Sequence, residues 1–194
     1  MCFFCIKFAV YSLLLWMPLF LEQELHIGKF QVANFLSLFE IGVVFGVIIL
    51  GILSDCLNSR RSPIIMLFII SASSICFCLT FRYNEMSNLA LSIALFFFGF
   101  TLGSVQHMIN TTCTADLGRQ VTGKQATATI TGIIDACGNT GAGLGQVFLG
   151  AAIETLGWQH GYLMVVAIVI GVSTLPLMPV FKRELGEVMR LRRR

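Results

Sequence analysis

Residues 34–63 read NFLSLFEIGVVFGVIILGILSDCLNSRRSP, a run of predominantly apolar positions to Leu53 followed by a polar turn closed by two arginines and a proline. A helix needs roughly 20 such residues to cross the ~30 Å hydrocarbon layer of a bilayer. In that layer only a helix or a closed barrel satisfies its own backbone groups. Working outward in both directions, the same alternation of apolar span and short polar gap fills the chain. The spans fall near 3–21, 34–53, 64–81, 89–110, 126–153 and 162–181. The fifth is long, and has to tilt, break or protrude. The sequence therefore predicts an all-α polytopic membrane protein: one domain over 1–194, six transmembrane helices, and a basic tail over 182–194. Its gaps leave no room for a soluble domain. The composition agrees, with 56% hydrophobic and 12% charged residues, far from the usual soluble balance.

The placement of positive charge sets an expected orientation. Arg60, Arg61, Arg119, Lys124, Lys182, Arg183, Arg190, Arg192, Arg193 and Arg194 fall on one side, and Lys29 and Arg82 on the other. Such a bias puts the richer side, and with it both termini, in the cytoplasm. The tail from Arg190 then reads as a topology anchor on anionic lipid, and no nucleic-acid partner is expected. The cysteines at 2, 5, 56, 76, 78, 113 and 137 read as small buried hydrophobes or reduced cytoplasmic thiols. With the three histidines scattered, no metal site is expected. Lys7 sits centrally in the first span and no basic leader precedes it, so that span reads as a helix and not as a signal peptide. Gly42 with Gly46, Gly99 with Gly103 and Gly141 with Gly145 stand four apart, which suits close helix packing within the chain.

The loop after the second span runs Gly51-Ile52-Leu53-Ser54-Asp55-Cys56-Leu57-Asn58-Ser59-Arg60-Arg61. It resembles the Gly-x-Leu-x-Asp-Arg-x-Gly-Arg-Arg signature between the second and third helices of each half of the major facilitator superfamily. Cys56 stands where that pattern has a basic residue, and Asn58 where it has glycine. Asn tolerates the left-handed turn better than other side chains. The resemblance makes Gly51, Asp55, Arg60 and Arg61 a gating loop, with Asp55 facing a helix N-terminus and the arginines at the membrane surface. An ordinary turn with anchoring arginines is the plainer reading.

Further blocks narrow the resemblance. Leu15-Trp16-Met17-Pro18-Leu19 looks like the stretch opening the second half of organophosphate:phosphate antiporters, and Glu40-Ile41-Gly42 fits the helix that follows. Ala115-Asp116-Leu117-Gly118 and Thr131-Gly132-Ile133-Ile134-Asp135, with Gly138, Gly141, Ala142 and Gly145, are similar to the eukaryotic sugar-phosphate exchangers, the glucose-6-phosphate translocase group. The match implies the C-terminal six-helix half of a twelve-helix antiporter of phosphorylated sugar and inorganic phosphate. It implies alternating access, no cofactor and an endoplasmic-reticulum membrane. It also makes the chain a fragment or split product whose partner is a missing N-terminal half or a second copy.

The expected substrate-binding residues are the polar ones inside spans. A lysine near mid-span costs about 2.5–3.5 kcal/mol to insert, so Lys7 either faces a watery cavity or anion, or snorkels to the headgroups. Tyr11 lies one turn along the same face. His107 and Asn110 share a stripe of the fourth span with Gly99 and Gly103; His107 either lines the cavity or bonds a neighbour. Asp135 and Asn139 share a stripe of the fifth span with Thr131, Gly143 and Gln146. Asp135 must be paired, protonated or wet, and Lys7 is the mid-span cation available to it. A structural hydrogen bond is the alternative use of that carboxyl. No Ser-His-Asp set, paired catalytic carboxylates or phosphate-cradling glycine loop is present, so no enzyme is expected. Two other readings share this fold: a non-transporting six-helix subunit or regulator, and a carrier of another organic anion.

Overall fold

A computed structural model describes residues 1–56, 61–120, 126–179 and 181–182 of the chain. Asn58, Arg60, Lys124 and the tail from residue 183 lie outside the described residues. Every element among the described residues is helical. Helix α1 spans Cys2–Gln23, α2 Lys29–Cys56, α3 Ser62–Arg82, α4 Asn88–Cys113 and α5 Ala126–Gly157. The chain then re-enters a wide helical turn at Trp158–Met164 and closes with α6, Val165–Val172. Local chemistry marks the starts: Pro63 occupies the first turn of α3, where its missing N–H is not needed. The Ser87 hydroxyl accepts from the Ala90 N–H at 3.3 Å to open α4.

Five helical stretches are long and apolar enough to cross a membrane, the last running from Ala128 to Leu177. This differs from the polar gap that the sequence leaves between the spans near 126–153 and 162–181. The connection there contracts to Gly157, whose φ of 76° only a residue without a Cβ adopts readily. The chain reverses at that residue, because Gly161 lies against the carbonyl of Ala152. In a straight helix those two residues would stand about 13 Å apart. Helix α5 itself runs 32 residues without a break, about 48 Å, so its excess length is taken up by tilt or protrusion. Helix α1 likewise continues through Pro18 to Gln23.

The helices pack with an internal two-fold logic. Helix α5 lies along α1 as α2 lies along α4; α6 sits against α1 as α3 sits against α4, and α3 meets α6. Small residues make both long seams. A Cβ added at Gly42 or Gly46 would collide with the backbone carbonyls of Phe96 and Phe100, and one at Gly99 with that of Phe39. On the other seam Gly138, Gly141 and Gly145 receive Phe3, Phe4 and Phe8. The glycine pairs thus serve packing within the chain, as their spacing predicts.

The core lies among α1, α3, α4 and α6, in side chains such as Leu13, Phe20, Ile69, Phe98, Leu102, Tyr162 and Ile170. Helices α2 and α5 instead present Val44, Phe45, Ile48, Leu144, Val147 and Phe148 outward. Apolar surface that extensive is uncommon on a protein in water and suits a bilayer. Phe20 gathers Tyr83, Trp158 and Tyr162 around it at 5.4, 5.9 and 5.7 Å, and ties one end of α1 to α3 and α6.

Candidate functional site

The α1–α5 seam carries charge where the α2–α4 seam carries none. Lys7 is 4% exposed, so its ammonium has to find partners within the protein. Its Nζ donates to Asp135 Oδ1 at 2.5 Å and to Asn139 Oδ1 at 2.6 Å. Asn139, one turn beyond Asp135, returns its Nδ2–H to Asp135 Oδ2 at 3.2 Å. The three side chains form a closed triangle across two helices. Phe3, one turn before Lys7, lies 5.2 Å from Nζ to ring centroid, near enough for a cation–π contribution.

Burial within the triangle is uneven. The Asp135 side chain is 37% exposed against 5% for that of Lys7. The ammonium is held inside the bundle while the carboxylate lies at its surface. The chain packs Lys7 into the seam because Gly138 has no side chain, leaving its methylenes room against α5. Snorkelling to the headgroups is thereby set aside: Lys7 is folded inward.

A second polar set lies further along the same seam. Trp16 Nε1 donates to Gln146 Oε1 at 2.8 Å, and Gln146 Nε2 donates to Ala142 O at 3.2 Å and Ser12 Oγ at 3.4 Å. Ser12 Oγ donates to Phe8 O at 2.7 Å, and Tyr162 OH reaches Ser12 O at 3.5 Å. These bonds fix how α5 sits on α1 and so fix the triangle. Spacing along α5 places Gln146 on the Asp135 stripe, but only the fold reveals Ser12 and Trp16 as its partners.

The remaining expected residues are not joined to the triangle. Tyr11 sits one turn past Lys7 and is half-exposed. His107 is exposed on α4, in a short regular stretch between two widened turns, Gly99–Gly103 and Ile109–Cys113. Such widened turns are frequent at functional sites. Asn110 keeps its Oδ1 buried and without a partner, as does Gln106 with Oε1; the sequence reading passed over Gln106. No hydrogen bond joins His107 to Asn110 among the described residues. In the loop signature Gly51 and Asp55 are exposed at the end of α2, and Arg61 is partly buried before α3. Glu40 is exposed on α2.

A buried lysine paired to a neighbouring helix is rare inside an apolar bundle. The profile of the Major Facilitator Superfamily matches residues 1–188, and the chain belongs to that family. It is 30% identical over 194 residues to sugar phosphate exchanger 3 of Xenopus laevis, an alignment covering 97% of this chain and 37% of the relative. It is 29% identical to glucose-6-phosphate exchanger SLC37A2 of Bos taurus, over 86% of this chain and 34% of the relative. Similarity to SLC37A1 of Mus musculus is also 29%, over 84% and 31%. The chain thus spans about a third of the length of these curated relatives. They are named as exchangers and not as enzymes. No solved structure matches the chain.

Proposed function

We propose that the chain is one half of an alternating-access exchanger in which Lys7, Asp135 and Asn139 receive the phosphate of a phosphorylated sugar. The observation that carries this reading is the uneven triangle: a buried ammonium balanced by a carboxylate at the surface of the bundle. Two of the three Lys7 protons are committed to Asp135 and Asn139. An entering phosphate takes the third and competes with Asp135 for the ammonium, while Asn139 keeps its own bond to the carboxylate. Empty, the site stays charge-balanced and stable in the membrane. Occupied, Asp135 is released, and that release is the event coupled to the change in access.

In this reading Tyr11 offers its hydroxyl to the phosphate, and His107 and Asn110 of α4 line the far wall of the cavity. The loop with Gly51, Asp55, Arg60 and Arg61 latches the cytoplasmic side. Inorganic phosphate uses the same seat as counter-substrate. The bundle crosses the bilayer six times with both termini in the cytoplasm, α6 standing to α1 as α3 stands to α4. It forms one transmembrane domain with a basic tail. Its partner is a second six-helix bundle, either an N-terminal half or another copy, and the endoplasmic-reticulum membrane follows from the resemblance to glucose-6-phosphate exchangers.

The test is uptake of labelled glucose 6-phosphate into phosphate-loaded proteoliposomes. Uptake is expected to need internal phosphate and to vanish in Lys7→Ala, with the companion half supplied where the chain alone is silent. Equal uptake by Lys7→Ala and the parent chain overturns the assignment.

A further inference from the structure

Helices α3 and α4, neither of which contributes to the Lys7 triangle, leave a groove of about 490 Å³ between them. Its walls are aliphatic and aromatic, with Leu67, Ile75 and Leu79 on one side and Ala94, Phe97 and Phe100 on the other. Among the described residues no charged side chain lines it. Its three hydroxyls are already spent on their own helices: Ser71, Ser74 and Thr101 each donate at 2.9 Å to the carbonyls of Leu67, Ile70 and Phe97. The groove therefore offers nothing to a sugar, a phosphate or an extended peptide, whose polar groups would go unmet there. Across the internal two-fold, the α1–α6 seam is filled by Tyr162, Val166 and Ile170, all fully buried. The α3–α4 seam lacks such filling.

Dimensions identify the occupant. From Leu67 to Leu79 the groove follows α3 for about 18 Å, a little more than one leaflet of the ~30 Å hydrocarbon layer. That length matches one acyl chain lying along α3, and the apolar walls would leave the polar groups of any other occupant unpaired. Met86 stands at the mouth. Arg82, exposed at the end of α3, lies one turn beyond Cys78 and Leu79 on the same face. A cation at the membrane surface above an uncharged one-chain slot is complementary to a phospholipid. We propose that the α3–α4 groove seats one acyl chain of a bilayer phospholipid, with Arg82 on its headgroup phosphate. Beside it lies the widened turn Gly99–Gly103 of α4, so the lipid braces the helix that carries His107 and Asn110.

The test uses the full chain in phosphatidylcholine liposomes doped with phosphatidylcholine bearing a mid-chain diazirine. After irradiation, adducts are mapped by mass spectrometry. They are expected to concentrate on residues 67–79 and 94–101. Arg82→Gln should lower them several-fold, as should Cys78→Trp, which fills the slot from its exposed wall; circular dichroism checks that each variant is folded. Adducts spread evenly over exposed positions such as Val44 and Leu144 would mean annular lipid only and overturn the proposal. Undiminished groove adducts in Cys78→Trp would overturn it too.

Discussion

The α1–α5 and α2–α4 seams are built alike and used differently. Both bring helices together over glycines, and the internal two-fold sets each in the other's place. The α2–α4 seam is mostly backbone against backbone, with Gly42 and Gly46 on the carbonyls of Phe96 and Phe100 and only Gly103 on a side chain, that of Val43. The α1–α5 seam meets mainly side chains, Gly141 alone also lying on a backbone carbonyl, that of Phe4, and among the Phe3, Phe4 and Phe8 rings it holds one ammonium. Close helix approach is therefore the scaffold, and placing a charge in one seam but not the other is what makes a site. Lys7 at 4% exposure adds little stability of its own, because a buried ion pair seldom outdoes well-packed apolar residues.

The largest effect should come from breaking the uncharged seam. Gly46→Leu forces a side chain onto a backbone carbonyl that cannot rotate aside, at about 3 kcal/mol or more. Thermal unfolding in detergent should show the bundle lost or its midpoint sharply lowered. Next is an asymmetry within the charged seam. Asp135→Ala strands a buried ammonium, costing up to about 3 kcal/mol, while Lys7→Met strands only a carboxylate at the surface of the bundle, costing about 1 kcal/mol or less. Equal losses for the two variants would mean the triangle is not buried unevenly. Gln146→Ala releases Trp16 and Ser12 together, a loss of about 1 kcal/mol with red-shifted Trp fluorescence. Smallest is Gly143→Ala, facing open space on α5, which should stabilise by up to about 1 kcal/mol through helix propensity.

The sequence reveals the charged seam better than the aromatic one. Lys7 and Asp135 stand out because charges inside spans are rare and each needs a partner, and the 135–139 spacing fits one helix face. Which Asn139 atoms close the triangle is set by side-chain geometry no periodicity encodes. The Phe20 cluster was not legible for a different reason: aromatic residues at helix ends look the same whether they meet lipid or one another. The connection over 154–160 misled because its polar residues read as a loop, whereas Gly157 alone turns the chain. His107 and Asn110 share the predicted stripe of α4, yet no bond ties them to Lys7, since stripe spacing says nothing of which neighbour a face meets.

The most direct test of the central claim is a phosphate titration of the folded chain, read by the rise in melting temperature that accompanies binding. In the proposed site Lys7 holds phosphate in competition with Asp135, so Asp135→Asn should bind phosphate more tightly than the parent chain, and Lys7→Ala should show no phosphate-dependent rise. A rise of the same size in all three proteins would place the anion elsewhere and contradict the account.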